Sequence, residues 1–264
     1  MNSATVRNLL VRGMLAGLAA GVLALVVAYF LGEPNVDSAI GLEEAHTHTH
    51  THGDAGADAG GGHDEEEVVS RSLQSTAGLA TGILVYGVAF GGIAALAFCF
   101  ALGRIGRFGP RATALLLSGC ALLAVYVVPY LKYPVNPPAV GDPDTIGKRT
   151  TLYFLMMVLS VLLAIAATLL GKRLAPALGT WYATVAAVAA FAVAVGLAYA
   201  FLPVINEVPD DFPATLLWRF RLSALAIQAV LWGGLGLFLG ELAERLLNPK
   251  AVPSEPGGAV PAAR

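Results

Sequence analysis

The sequence is poor in charged residues and lacks the motifs of most enzymes. Only 13% of its 264 residues are charged, about half of the 25% that is usual in soluble domains. The two cysteines, Cys99 and Cys120, both lie in apolar stretches, which excludes a disulfide framework. There is no G-x-x-x-x-G-K-[ST], H-E-x-x-H, G-x-S-x-G or C-x-x-C motif, and no basic stripe. We therefore predict neither an enzyme with one of these sites nor a nucleic-acid-binding protein.

Long apolar segments take the place of these features. A helix needs roughly 20 residues to cross a hydrocarbon core about 30 Å thick. Six segments approach or exceed this length: 9–31, 77–102, 112–131, 151–171, 180–203 and 217–243. The sequence therefore predicts an all-α integral membrane bundle of about six transmembrane helices. The predicted parts are an N-terminal helix (1–31), a flexible His- and acid-rich loop (32–76), a bundle of about five helices (77–247) and a disordered tail (248–264).

The distribution of lysine and arginine predicts the orientation of these spans. With the N-terminus in the cytoplasm, ten of these residues lie inside and six lie outside, which is the bias described by the positive-inside rule. Both termini are therefore predicted to be cytoplasmic. The loops 32–76, 132–150 and 204–216 are predicted to face outward.

All five histidines lie in one segment, 45–67, which reads AHTHTHTHGDAGADAGGGHDEEE. Neutral imidazole binds zinc, copper, nickel and related ions, and carboxylates add negative charge. We predict a loosely bound divalent metal here and no tightly bound cofactor. A low-complexity spacer that happens to contain histidine is the alternative interpretation. The candidate ligands are His46, His48, His50, His52, His63, Asp64 and Glu65.

Two proline-rich segments carry oxygen donors on the same predicted side of the membrane. They read YPVNPPAVGDPDTIGKR (133–149) and VINEVPDDFPATLLWRFR (204–221). Together they could form an ion entry, or alternatively an interfacial cap anchored by aromatic and basic residues. The spans contain few ionisable groups, which argues against a proton-relay pump. The candidate ion-entry residues are Asn136, Asp142, Asp144, Asn206, Glu207 and Arg221.

Segments 132–154 (KYPVNPPAVGDPDTIGKRTTLYF), 202–225 (LPVINEVPDDFPATLLWRFRLSAL) and 12–21 (RGMLAGLAAG) resemble the CbtA family of cobalt transporter subunits. The resemblance implies cobalt uptake across a bacterial inner membrane, often linked to cobalamin synthesis. It also implies a small one-span, histidine-bearing partner called CbtB, and five spans as the alternative to six. The match to the family's loop motifs adds Pro137 to the candidate entry residues.

We therefore predict a membrane subunit that collects a divalent ion outside the cell and helps pass it inward. Cobalt is expected from the resemblance, and nickel or zinc are the alternatives. Membrane lipid, the CbtB-like subunit and the metal ion are the predicted partners. Two rival interpretations are a membrane metal sensor or chaperone that does not transport, and a membrane-embedded enzyme using groups such as Glu207, Asp210 and Arg221.

Overall fold

The part of the protein that the structure describes is mostly helical. The computed structural model describes residues 2–50, 70–138, 140–141 and 143–248, with only the backbone described at 46–50 and 143. No strand is found in these ranges, which confirms the all-α prediction. Within them, five helices are long and apolar enough to cross a membrane, which lies in the predicted range. These are Ser3–Ala45, Arg71–Ala101, Pro110–Lys132, Asp144–Phe201 and Ala214–Leu247.

The fourth of these helices folds back on itself at Gly179. This residue has φ 77° and ψ 160°, a backbone conformation that favours glycine because it has no Cβ. The halves 143–178 and 180–201 pack against each other in antiparallel fashion, with Met156 and Val195 in one apolar cluster. The two halves correspond to the predicted fourth and fifth spans.

We number the helices α1 to α6 in chain order. Helix α1 comprises Ser3–Val27, a π-helical turn at Ala28–Gly32, and Glu33–His50. Helix α2 is Arg71–Ala101 and helix α3 is Pro110–Lys132. The two halves of the folded helix are α4 (143–178) and α5 (180–201), and α6 is Ala214–Leu247.

Helices α1 and α3 both continue past a proline. The π-helical turns Ala28–Gly32 and Leu122–Val127 each end two residues before a proline, Pro34 and Pro129 respectively. A proline in a helix lacks an N–H, and its ring clashes with the carbonyl four residues earlier. The wider π turn accommodates both effects without ending the helix. Helix α1 therefore extends well beyond residue 31, its predicted end.

Helices α1, α2, α3 and α6 share the larger apolar core, and glycines bring α1 and α2 close together. A Cβ on Gly13 would lie 2.5 Å from the carbonyl oxygen of Gly91, and one on Gly17 would lie 2.0 Å from that of Gly87. Such spacing of small residues lets helix backbones approach each other in lipid. The larger buried side chains of this core include Leu9, Phe98, Leu235 and Leu239.

The antiparallel order of the helices places three connections at one end of the bundle, which we call the loop end. There, the Tyr130 hydroxyl at the end of α3 donates to the Arg221 carbonyl at the start of α6, at 2.9 Å. Gly32 of α1 faces Ile227 of α6 at the same end. The second half of α1 and the loops after α3 and α5 therefore share one side. Helices α4 and α5 pack mainly on the half of α3 nearest this end.

Candidate ion-entry site

The two proline-rich loops meet in a hydrogen-bonded network at the loop end. Glu207 is at its centre: Arg149 Nη1 donates to its Oε2 at 2.8 Å, Thr145 Oγ1 to its Oε1 at 2.6 Å and Asn136 Nδ2 to its Oε2 at 3.4 Å. Arg221 Nη2 donates to Asn136 Oδ1 at 3.0 Å. The side chain of Glu207 is only 2% exposed, and that of Arg149 is 20% exposed. We call these five residues the two-loop network.

The guanidinium groups of this network also contact backbone oxygens. Arg149 Nη2 donates to the carbonyl of Pro134, and Arg221 Nε donates to the carbonyl of Val135 at 3.3 Å. A carboxylate buried without a positive partner is strongly unfavourable. Arg149 supplies the positive charge that allows Glu207 to be buried. The two-loop network thus contains two guanidinium cations and one carboxylate, and its net charge is positive.

Aromatic and basic side chains fix the position of the loop between α3 and α4. Tyr133 donates its hydroxyl to the carbonyl of Pro203 at 2.8 Å, and Lys132 Nζ donates to the carbonyl of Tyr199 at 2.8 Å. Burial raises the pKa of Tyr133, so the phenol remains a hydrogen-bond donor at neutral pH. In the interfacial-cap interpretation, aromatic and basic residues of this kind are anchors; in the structure, these two also link this loop to the end of α5.

The last turns of α3 attach to α4 through a backbone carbonyl that receives no hydrogen bond from within α3. In the π turn, the Val128 N–H bonds to the carbonyl of Leu123. The next carbonyl, that of Ala124, would need an N–H from Pro129, which has none. The hydroxyl of Ser160, which is fully buried, donates to the Ala124 carbonyl instead. Pro129 therefore creates a docking point for α4 on α3.

An ion-paired cluster joins α1 to the first residue of α2. Arg71, the first residue of α2, contacts Glu33 at 2.5 Å and Asp37 at 2.8 Å. The two carboxylates are one helical turn apart on α1, so they lie on the same face. These ion pairs hold the start of α2 against the second half of α1. The four-residue spacing of Glu33 and Asp37 is the feature of the sequence that indicates a shared acidic face. It does not identify Arg71 as the basic partner.

A cavity of about 420 Å³ opens between α1, α2 and α6 near the loop end. Its polar lining residues are Gln228 of α6 and Gln74 and Tyr86 of α2. Amide oxygens are suitable ligands for hard cations. Polar side chains that could contact a cation thus line a cavity among the apolar helices.

The structure brings together some of the predicted site residues. Asn136, Glu207 and Arg221 are members of the two-loop network, whereas Asp144 and Asn206 are exposed. Thr145 and Arg149 were not predicted as site residues. No three His, Cys, Asp or Glu side chains of the described residues lie close enough to hold a metal ion. Outside the described residues lie Asp142, His52, His63, Asp64 and Glu65, together with the side chains of His46, His48 and His50.

One comparison with known proteins gives a match, and it covers nearly the whole chain. A family model, CbtA, described as a probable cobalt transporter subunit, matches residues 6–244. No curated protein and no solved structure matches the chain. The matched range contains all five residues of the two-loop network and the segment with all the histidines.

Proposed function

Because the chain belongs to the CbtA family of probable cobalt transporter subunits, we propose that it accepts a divalent cation at its loop end and passes it through the bundle into the cell. The five apolar helices and the family together make it a multi-pass membrane protein. The cation is cobalt by the family's description, and nickel and zinc are the closest chemical alternatives.

The observation that carries this proposal is the buried carboxylate of Glu207 where the two loops meet. A simple interfacial cap does not require an almost fully buried acid. Oxygen atoms from a carboxylate, an amide and two backbone carbonyls surround the two guanidinium groups here. Carboxylate and carbonyl oxygens are also the atoms that bind divalent cations in proteins. We assign the ion entry to this network, in which Asn136 and Glu207 are the candidate ligands.

The histidine-rich segment acts, in this proposal, as a collector beside the entry. It begins in the last described turns of α1, which are at the loop end. A chain with several imidazoles and carboxylates binds metal loosely, because no fixed geometry selects one ion. Holding ions on a tether raises their effective concentration near the entry. The collecting residues are His46, His48, His50, His52, His63, Asp64 and Glu65.

A second subunit completes the transporter in this proposal. The family is described as a subunit, and the resemblance points to a one-span, histidine-bearing CbtB-like partner. The α4–α5 pair is the least buried of the apolar helices, with 11% of its most apolar 18 residues buried. This surface is available to lipid or to a partner helix. We place the complex in a bacterial inner membrane with both termini in the cytoplasm, as the lysine and arginine bias supports.

The test is uptake of radioactive cobalt and nickel by a metal-starved bacterial host that also expresses the one-span partner subunit. We compare the intact chain with a deletion of 46–67, with an Asn136→Ala/Glu207→Ala pair and with an Asp210→Ala/Asp211→Ala control pair. The control removes two exposed acids from the same loop. We expect the first pair to abolish uptake, the control pair to retain it, and the deletion to reduce uptake mainly at scarce metal.

Two outcomes would contradict this assignment. Normal transport by the Asn136→Ala/Glu207→Ala pair would show that ions do not enter through the two-loop network. Equal cobalt accumulation by cells with and without the intact protein would instead favour a sensor or chaperone.

A further inference from the structure

The two guanidinium groups of the two-loop network contact a group of oxygen atoms that resembles a cation site. Arg149 donates to the Glu207 carboxylate and to the Pro134 carbonyl. Arg221 donates to the Val135 carbonyl and to the amide oxygen of Asn136. One carboxylate, two backbone carbonyls and one amide oxygen are the kinds of ligand that a divalent ion takes from proteins. The positions of the guanidinium groups therefore mark where positive charge is favoured.

We propose that Arg149 is a tethered cation that holds the Glu207 carboxylate until a divalent ion binds there and displaces it. This inference rests on the proposed function, because it assigns the ion-exchange step at the same entry. Arg149 would then set the affinity of the entry without being an ion ligand itself. It would also favour divalent over monovalent ions, since a single charge attracts Glu207 no more strongly than the guanidinium does.

Arg149 is better placed for this role than Arg221. Of the two, only Arg149 pairs with the Glu207 carboxylate, whereas the contacts of Arg221 given above are to neutral oxygens. Arg149 lies near the start of α4 and remains 20% exposed. A long arginine side chain near a helix end can extend to the headgroup region while its stem stays packed. Displacement therefore requires a change of side-chain rotamer and no movement of a helix.

The remaining charge of Arg221 would keep the bound ion from being held too tightly. With Arg149 displaced, a divalent ion at Glu207 would still lie near the Arg221 guanidinium, and like charges repel. An entry site for transport must bind well enough to admit the ion and weakly enough to release it. The arrangement of one carboxylate beside two arginines meets both requirements.

The direct test measures Mn²⁺ binding to the full chain in lipid nanodiscs by electron paramagnetic resonance. Mn²⁺ suits carboxylate and carbonyl ligands and is the weakest binder in the first-row divalent series, which limits the contribution of histidine. The proteins are the wild type, Arg149→Gln, Glu207→Gln, the double variant and Arg149→Lys. The acids of the histidine-rich segment are the same in all five, so differences report on the two-loop network.

We expect Arg149→Gln to bind Mn²⁺ about 10- to 100-fold more tightly than the wild type. The estimate assumes that the Arg149 guanidinium leaves Glu207 free only about 10% to 1% of the time. Removing this competitor then raises the apparent affinity for Mn²⁺ by the inverse of that fraction. The gain should be absent in the double variant, because the carboxylate is gone. Lysine keeps the charge but lacks the fork that reaches two acceptors, so Arg149→Lys should show intermediate affinity.

Wild-type affinity in folded Arg149→Gln would overturn the tethered-cation role. If Arg149→Gln does not fold, wild-type affinity in Arg149→Lys would overturn it instead. Cobalt uptake by cells separates this failure from a failure of the proposed function. If Glu207→Gln abolishes uptake while neither Arg149 variant tightens Mn²⁺ binding, the entry assignment stands and the displacement step is wrong. If uptake does not depend on the protein, the proposed function is wrong regardless of the Mn²⁺ result.

Discussion

Substitution of Gly17 by alanine is expected to disrupt the contact between α1 and α2. A Cβ at this position would lie 2.0 Å from the carbonyl oxygen of Gly87 and 2.9 Å from the Cα of Gly91. Both are backbone atoms, so no side chain can rotate away to relieve the clash. The matched control is Gly82→Ala in α2, because a Cβ on Gly82 would meet no atom within 4 Å.

The size of the effect follows from these distances. Ordinary van der Waals contact begins near 3.4 Å, so the two helices must separate locally by about 1.4 Å. Overpacking a well-packed core typically destabilises by about 1–3 kcal/mol, and a clash between backbones belongs at the upper end. Alanine recovers roughly 0.5–1 kcal/mol because glycine is unfavourable within a helix. We therefore expect a net loss of about 2 kcal/mol in the free energy of unfolding.

Thermal unfolding of the purified variants in one detergent measures this loss. For a chain of this size, a loss of about 2 kcal/mol lowers Tm by roughly 4–8 °C. Gly82→Ala should unfold at the wild-type temperature or slightly above it. If Gly17→Ala and Gly82→Ala unfold at the same temperature, the α1–α2 contact is not as close as described and this reasoning fails.

Two further predictions concern the attachment of α4 and the capture of metal. Ser160→Ala leaves the Ala124 carbonyl buried without a donor, so it should lower the free energy of unfolding by about 1–3 kcal/mol. Thr168→Ala removes an exposed hydroxyl that bonds only within its own helix and is the control in the same thermal assay. Cobalt binding to the full chain should weaken as pH falls through about 6.5, because protonated imidazole cannot bind metal. Calorimetry at about pH 7.5 and about pH 5.5 checks this, and equal affinity would show that carboxylates dominate capture.

The sequence was sufficient to predict the helical bundle because membrane burial imposes simple requirements on composition and length. A four-residue spacing of glycines is typical of close helix packing, and Gly13 and Gly17 of α1 do lie against Gly87 and Gly91 of α2. The same spacing at Gly82 marks no such contact, because spacing cannot show which face of a helix meets a neighbour.

The continuation of helices through prolines was not predictable in the same way. Pro129 lies within the predicted third span, and a π turn before it keeps α3 helical. Whether a helix absorbs a proline depends on a donor for the carbonyl left free. Here that donor, Ser160, lies 36 residues from Ala124 in the chain. A local pattern contains no information about such a partner.

The two-loop network was predicted in part for a similar reason. The alternation of spans places the loops at 133–149 and 204–221 on one side, and this was enough to bring Asn136 and Glu207 into one hypothesis. The pairing of Arg149 with Glu207 joins residues 58 apart and depends on the fold of α4 and α5 between them. Sequence reasoning expected oxygen donors and Arg221 at the entry, but it did not identify Arg149 as the partner of Glu207.

The positive charge of the network gives the histidine-rich segment a definite part in the proposed mechanism. Two arginines and one glutamate repel a free divalent ion that approaches from water, so the entry alone would capture ions slowly when they are scarce. Imidazoles tethered beside it would raise the local ion concentration and offset this repulsion. At abundant metal the tether becomes unnecessary, because the bulk concentration then suffices. Deleting 46–67 should therefore raise the cobalt concentration needed for half-maximal uptake and leave the maximal rate unchanged. A fall in the maximal rate alone would mean that the segment acts after ion capture.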